Sequence, residues 1–196
     1  MELNKNYWES RYNHDDFPWD TGSITTPLKE YFDQMENKNL RILIPGCGNS
    51  YEYEYLIHKG FQNVSVLDYA PTPVENLRNR VPESFHNQII QQDFFDHSGT
   101  YDLIVEQTFF CALLPELRTA YAHKMHSLLA EKGKLTGLLF QFPLGDVGPP
   151  FGGNKNEYQN LFSPYFNLLT LETAYNSIKP RQGNELFFIF TKKTIL

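Results

Sequence analysis

A single turn does most to fix what this chain can become. Arg41-Ile42-Leu43-Ile44 is a short apolar run that stops at Pro45-Gly46-Cys47-Gly48-Asn49-Ser50, and helical spacing begins at Tyr51. An apolar run closed by Pro-Gly reads as a buried strand. Glycines at a strand-to-helix turn let the backbone approach a ligand closely, and the helix start beyond offers unpaired N–H groups. Asp68 stands at the tip of the next apolar run, Val64 to Leu67. A carboxylate there can accept both hydroxyls of a ribose. Asp93-Phe94, at the end of a third short strand (Gln88 to Gln91), supplies an acceptor for an adenine amino group and a ring to lie against the base.

Strand-like and helix-like segments alternate along the rest of the chain, which points to a mainly parallel sheet with helices on both faces. Tyr51 to Lys59 is predicted helical with Gly60 as its stop. Thr72 to Val81 is predicted helical with a Thr-Pro start serving as cap and first turn. Tyr101 to Val105 is a fourth strand. Leu117, Tyr121, Met125, Leu128 and Leu129 form one stripe, so Pro115 to Leu129 is predicted to be a helix ended by Gly133. Lys134 to Phe140 is a fifth strand. Phe166 to Leu171 and Leu186 to Phe190 read as an antiparallel pair closing the sheet, and Pro143 to Gly153 reads as a loop with a functional role.

Composition narrows the partners. The 196 residues suit one domain, and 41% hydrophobic content supports a packed core. A net charge of -6 without a Lys/Arg stripe disfavours a nucleic-acid backbone as substrate. Neither a signal peptide nor a membrane span is expected. Cys47 and Cys111 are expected as free thiols in a reducing cytoplasm, with no metal site; a monomer is the default expectation.

Two cofactor classes share the strand–glycine–helix–acid layout. A dinucleotide needs a third glycine so that pyrophosphate can sit on the helix, and Tyr51 occupies that position. A loop of this form suits a phosphate-free cofactor whose charged ends are an ammonium and a carboxylate. A NAD-dependent oxidoreductase therefore stays open as an alternative, as does a catalytically silent binding domain.

With these residues in place, the chain resembles the thiopurine S-methyltransferase family, including its plant-type thiol and halide methyltransferase branch. The likeness is carried by Trp8-Glu9, Pro18-Trp19-Asp20-Thr21-Gly22, Pro45-Gly46-Cys47-Gly48, Leu67-Asp68 and Asp93-Phe94-Phe95. Further along it is carried by Phe109-Phe110-Cys111-Ala112, Pro115-Glu116-Leu117-Arg118 and Gly148-Pro149-Pro150-Phe151. The resemblance implies a Rossmann-like class I methyltransferase fold. It has a mainly parallel seven-stranded sheet, an antiparallel C-terminal strand, and a helical cover formed by residues 1–38 of a single 1–196 domain. It implies S-adenosyl-L-methionine as cofactor and a small-molecule methyl acceptor. Trp8, Tyr12 and Trp19 would contact the cofactor, Gly46 and Gly48 would face its methionine half, and Gln107 would line the methionine end. Asp68 would hold the ribose, and Asp93 and Phe94 the adenine. Phe151 and Gln107 replace tyrosines of the plant-type branch, which speaks against halide and leaves sulfur, selenium or tellurium nucleophiles.

A thiol attacks as thiolate, and a nearby cation lowers its pKa. By the resemblance, Arg118 is the catalytic candidate for that cation. Its position equally suits a first-turn helix residue paired with Glu116 or solvent, and both readings stand. Cys111 reads as a packed small hydrophobe, His123 and His126 as exposed helix residues, and Arg181 as a solvated loop charge.

Overall fold

The computed structural model describes residues 2–145 and 148–194. Asp146 and Val147, inside the predicted Pro143–Gly153 loop, lie outside the described residues. The chain divides into two compact units, residues 1–97 and 98–196.

The first unit carries strands β1 (Ile42–Pro45), β2 (Val64–Asp68) and β3 (Ile89–Gln91) in the order β3-β2-β1. Both pairings are parallel, with Ile42 beside Val64 and Asp68 beside Gln91. Every residue of β1 is buried. An apolar run without alternation is the pattern of a parallel strand covered on both faces. Helices α1 (Lys5–Asn13) and α2 (Thr26–Asp33) precede β1, α3 (Tyr51–His58) follows it, and α4 (Pro71–Arg80) follows β2. Leu28 and Phe32 of α2, Tyr53 and Leu56 of α3, and Val74 and Leu77 of α4 are fully buried with the strand residues. The expected Thr72 cap is replaced by a residue from far upstream. Thr72 lies inside the first turn of α4, and its N–H and hydroxyl donate to the Glu9 carboxylate at 3.0 and 2.5 Å. A carboxylate at that helix start also meets the positive end of the helix dipole.

The second unit carries β4 (Tyr101–Gln107), β5 (Leu129–Phe140), β6 (Phe166–Thr173) and β7 (Glu185–Lys192) in the order β4-β5-β7-β6. β4 and β5 are parallel, and β7 runs antiparallel to both β5 and β6. Helix α5 spans Arg118–Leu128, and α6 spans Lys155–Phe162. Three expectations change here. Pro115–Leu117 forms a separate 3₁₀ turn, so α5 starts three residues later than its stripe suggested. β5 begins at Leu129, and Gly133 lies within the strand, beside a register irregularity between Tyr101 and Leu103 of β4. Finally, α6 was not foreseen. Asn154 accepts from the Glu157 N–H at 3.0 Å, while the Glu157 carboxylate accepts from the Asn154 N–H at 3.2 Å. This reciprocal capping fixes the start of a helix with only two buried residues, Tyr158 and Phe162.

The core of the second unit is aromatic. Phe188 and Phe190 pack with ring centroids 4.6 Å apart, and Phe162 and Tyr158 extend the cluster to Phe110. Gly137 of β5 sits opposite Glu106 of β4, and a Cβ there would lie 2.0 Å from the Glu106 carbonyl oxygen. Only glycine permits that approach.

Candidate active site

In the first unit, the strand-to-helix turn adopts left-handed backbone at Gly46 (φ 57°), Gly48 (φ 50°) and Ser50 (φ 48°). Asp68 fixes it from β2. One carboxylate oxygen accepts from Gly48 N–H at 3.0 Å, and the other accepts from Ala70 N–H at 2.9 Å. Cys47 N–H adds a bond to the Leu67 carbonyl at 3.0 Å. Burial raises the Asp68 pKa, opposed by the N–H groups of Ala70, Gly48 and Tyr69. Each oxygen retains lone-pair capacity for a hydroxyl donor.

The N-terminal segment closes on this turn. A Cβ on Gly48 would stand 2.9 Å from the Tyr12 hydroxyl and 4.0 Å from the Trp19 ring nitrogen. Trp8 meets Trp19 edge-to-face at 5.4 Å, and Tyr12 meets Trp19 at 5.8 Å. The Arg11 guanidinium lies 5.2 Å from the Trp19 ring centre. Asp20 secures the segment at a second point. One of its oxygens accepts from the Asn49 amide at 2.5 Å and from the Tyr51 hydroxyl at 3.3 Å, and the other from Gly22 N–H at 2.7 Å. The Pro-Trp-Asp-x-Gly motif thus has a division of labour, with Trp19 over the glycine and Asp20 clamping the loop.

The structure therefore brings Trp8, Tyr12, Trp19, Gly46, Gly48 and Asp68 together. Asp93 stands past the tip of β3, and its carboxylate accepts from Phe95 N–H at 2.8 Å. Phe94 is 5% exposed, so its ring is mostly packed, while Phe95 is half-buried beside it. Tyr51, at the position where a dinucleotide fold needs glycine, bonds to Asp20 and lies under the Arg80 guanidinium.

In the second unit, Gln107 ends β4, and its side-chain carbonyl oxygen is buried without a hydrogen-bond partner among the described residues. Thr108 follows in left-handed backbone (φ 57°). Strain of this kind is concentrated at functional sites. Arg118 is 8% exposed, which replaces the solvent or Glu116 pairing considered for it. Its Nη2 donates to the Gly152 carbonyl at 2.7 Å, and its guanidinium lies 4.7 Å from the Phe110 ring centre. Phe151, next to Gly152, donates its N–H to the Cys111 carbonyl at 2.7 Å. Arg118 and Phe151 are thus neighbours.

Glu106 is the residue that sequence reasoning passed over. It is fully buried one step before Gln107. One carboxylate oxygen accepts from Phe109 and Phe110 N–H, both at 2.8 Å, and the other accepts from the Tyr121 hydroxyl. Burial pushes its pKa up to about 7, opposed by those three donors. The available signal was an acid continuing the apolar run Leu103-Ile104-Val105 straight into a turn.

Two bland readings are corrected. Arg181 is 8% exposed, pairs with Glu185 at 3.3 Å and covers the Phe140 ring, so it is no solvated charge. His126 is half-buried, with its Nε2 at 2.8 Å from the Lys193 carbonyl. Cys111 is buried, and burial pushes its thiol pKa well up, as a packed small hydrophobe requires.

The strand order, the glycine turn tied to an acid at the tip of β2, and the antiparallel β7 define a Rossmann-like class I S-adenosyl-L-methionine-dependent methyltransferase. Solved structures share this fold. They include a 1,6-didemethyltoxoflavin-N1-methyltransferase from Burkholderia thailandensis, with TM-score 0.79, 16% identity, and 98% of this chain and 88% of that chain covered. Magnesium protoporphyrin IX methyltransferase from Synechocystis PCC 6803 matches with TM-score 0.74 and 14% identity over 98% of both chains. The chain belongs to the thiopurine S-methyltransferase (TPMT) family, whose profile matches residues 3–194. A probable thiol methyltransferase 2 of Arabidopsis thaliana is 29% identical over 91% of this chain and 81% of its own length. A thiopurine S-methyltransferase of Acinetobacter baylyi is 21% identical over 91% of this chain and 92% of its own.

Proposed function

We propose that the whole chain works as one domain that moves the methyl group of S-adenosyl-L-methionine to a small sulfur nucleophile, a thiol first of all. The observation that carries the cofactor half is the triple meeting of Tyr12, Trp19 and Asp68 at Gly48. Those residues fit the cofactor: the glycine turn lets the backbone lie directly against the aromatic cover, the acid takes hydroxyl donors, and the aromatic faces suit a sulfonium. When bound, the cofactor supplies an electrophilic methyl group on that sulfonium.

The chain's own residues do the rest. Gly46 and Gly48 face the methionine half and Asp68 holds the ribose, and family likeness assigns Gln107 to the methionine end. Asp93 and Phe94 hold the adenine. Trp8, Tyr12 and Trp19 exclude water and favour positive charge by about 0.5–2 kcal/mol per good ring contact. Displacement at a methyl carbon needs alignment above all, and positioning can contribute roughly 7–11 kcal/mol. Arg118 offers the buried cation that keeps the acceptor as thiolate, and Phe151 walls the acceptor. No acid is needed for the leaving group, because the thioether departs neutral.

The acceptor half is supported by the relatives' names, which specify thiol, thiocyanate and thiopurine substrates, all of them sulfur nucleophiles. Phe151 and Gln107, in place of tyrosines, favour thiols over halides. The oxidoreductase alternative has no support, since Tyr51 stands where pyrophosphate would need space. The acidic balance favours a small molecule over nucleic acid, the free Cys47 and Cys111 suit a reducing cytoplasm, and a monomer is the default state. Transfer of labelled methyl to a panel of aryl and alkyl thiols tests the reading. Labelled thioether is expected. A silent panel with cofactor bound would redirect the acceptor to oxygen or nitrogen.

A further inference from the structure

The second unit contains a closed ring of bonds that starts and ends at Glu106. From its Oε1, the ring passes through the N–H groups of Phe109 and Phe110 to Cys111, whose carbonyl takes the Phe151 N–H. From Phe151 it passes to Gly152, whose carbonyl takes the Arg118 guanidinium. One turn along α5, the Tyr121 hydroxyl returns to the second Glu106 oxygen. Every link is buried or part-buried. The Arg118 guanidinium over Phe110 braces the ring across its middle.

We infer that Glu106 is a positioning residue for the methyl acceptor: its carboxylate holds Phe151 and Arg118 in register by closing this ring. The inference rests on the proposed acceptor roles of Phe151 and Arg118, and Glu106 itself touches neither. A carboxylate suits the task because it accepts from three donors at once, two on one oxygen and one on the other. Glutamine is the nearest replacement, because its carbonyl oxygen can serve the two N–H groups while its NH₂ donates to a rotated Tyr121 hydroxyl. Leucine or alanine would leave two buried N–H groups without partners.

The test compares Glu106→Ala, Glu106→Gln and Tyr121→Phe with the parent protein. Three quantities are read: affinity for S-adenosylhomocysteine by calorimetry, methyl-transfer kinetics with a free thiol as acceptor, and amide exchange at Phe151. Glu106→Ala is expected to keep the affinity, to lose about tenfold or more in kcat/KM for the thiol, chiefly through KM, and to speed exchange at Phe151. Glu106→Gln is expected to restore all three towards the parent. Tyr121→Phe opens a single link and should give an intermediate loss; it replaces Glu106→Ala if that variant fails to fold. Parent-like thiol kinetics in Glu106→Ala, an equal loss of cofactor affinity, or a glutamine variant no better than alanine would each overturn the inference. If the parent methylates no thiol, the acceptor reading itself has failed. The ring then stands or falls on exchange at Phe151, with unchanged exchange counting against it.

Discussion

Replacing Glu106 by glutamine should change how stability depends on pH, and the size of the change follows from burial. A fully buried carboxylate loses its hydration, which costs several kcal/mol when uncompensated. Two backbone N–H groups and a phenol return part of that, yet the pKa still rises from the ordinary 4.5 to about 7. Tyr121 of α5, Tyr158 of α6, Cys111 of the turn and Glu185 of β7 surround it, with the Arg118 guanidinium over Phe110 and Arg181 beside Glu185 as the cations nearby, and burial is the largest influence on the carboxylate. A raised pKa in the folded state means that the folded protein holds this proton more tightly than the unfolded chain. The resulting stability is fully present below the unfolded value, about 4.5, and is lost as pH rises through about 7. The full titration is worth about 3 kcal/mol. Urea unfolding of parent and variant at about pH 5, 7 and 8.5 reads this directly, because every other group is common to both proteins. The parent should lose about 2–3 kcal/mol relative to the glutamine variant between the extremes. A difference that stays constant with pH would refute the reasoning, since Glu106 would then ionise as an ordinary exposed acid does.

Gly48→Ala should weaken S-adenosylhomocysteine binding at least about tenfold by calorimetry. The left-handed backbone costs an L-residue about 1–2 kcal/mol, and the new methyl group meets the Tyr12 hydroxyl. Gly137→Ala should destabilise the protein by more than about 3 kcal/mol in urea or prevent folding, because its Cβ would overlap the Glu106 carbonyl backbone. Arg118→Ala should lower thiol turnover while leaving cofactor affinity intact; unchanged turnover would remove Arg118 from the acceptor site.

Features set by local chemistry were legible in the sequence. The run Ile42-Leu43-Ile44 with Pro-Gly behind it can only be a covered strand and a turn, and Asp68 at the tip of the next strand follows from that geometry. The tryptophans of the cover were reachable only through family likeness, because nothing local distinguishes Trp19 from a core residue. What sequence could not show was set by tertiary partners. Thr72 seemed a self-sufficient cap, yet Glu9 performs the capping from α1. Gly133 resembled a helix stop, but Leu129 already pairs with Tyr101 in the sheet, and strand pairing overrides the local tendency. Arg181 seemed a surface charge because its partner Glu185 begins a strand whose position the sequence does not reveal. Two local signals went unread, the capping pair Asn154 and Glu157 and the acid Glu106 that carries an apolar run into a turn.

The central claim is that the glycine turn under Tyr12 and Trp19, gripped by Asp68, holds an adenosyl sulfonium. Titration calorimetry of S-adenosylhomocysteine into the parent and into Asp68→Ala addresses it most directly. The parent should bind saturably, and the alanine variant, still folded by circular dichroism, should bind about tenfold or more weakly, as loss of hydrogen bonds to a charged group requires. A parent that yields no heat of binding, or an alanine variant that binds as the parent does, would contradict the account.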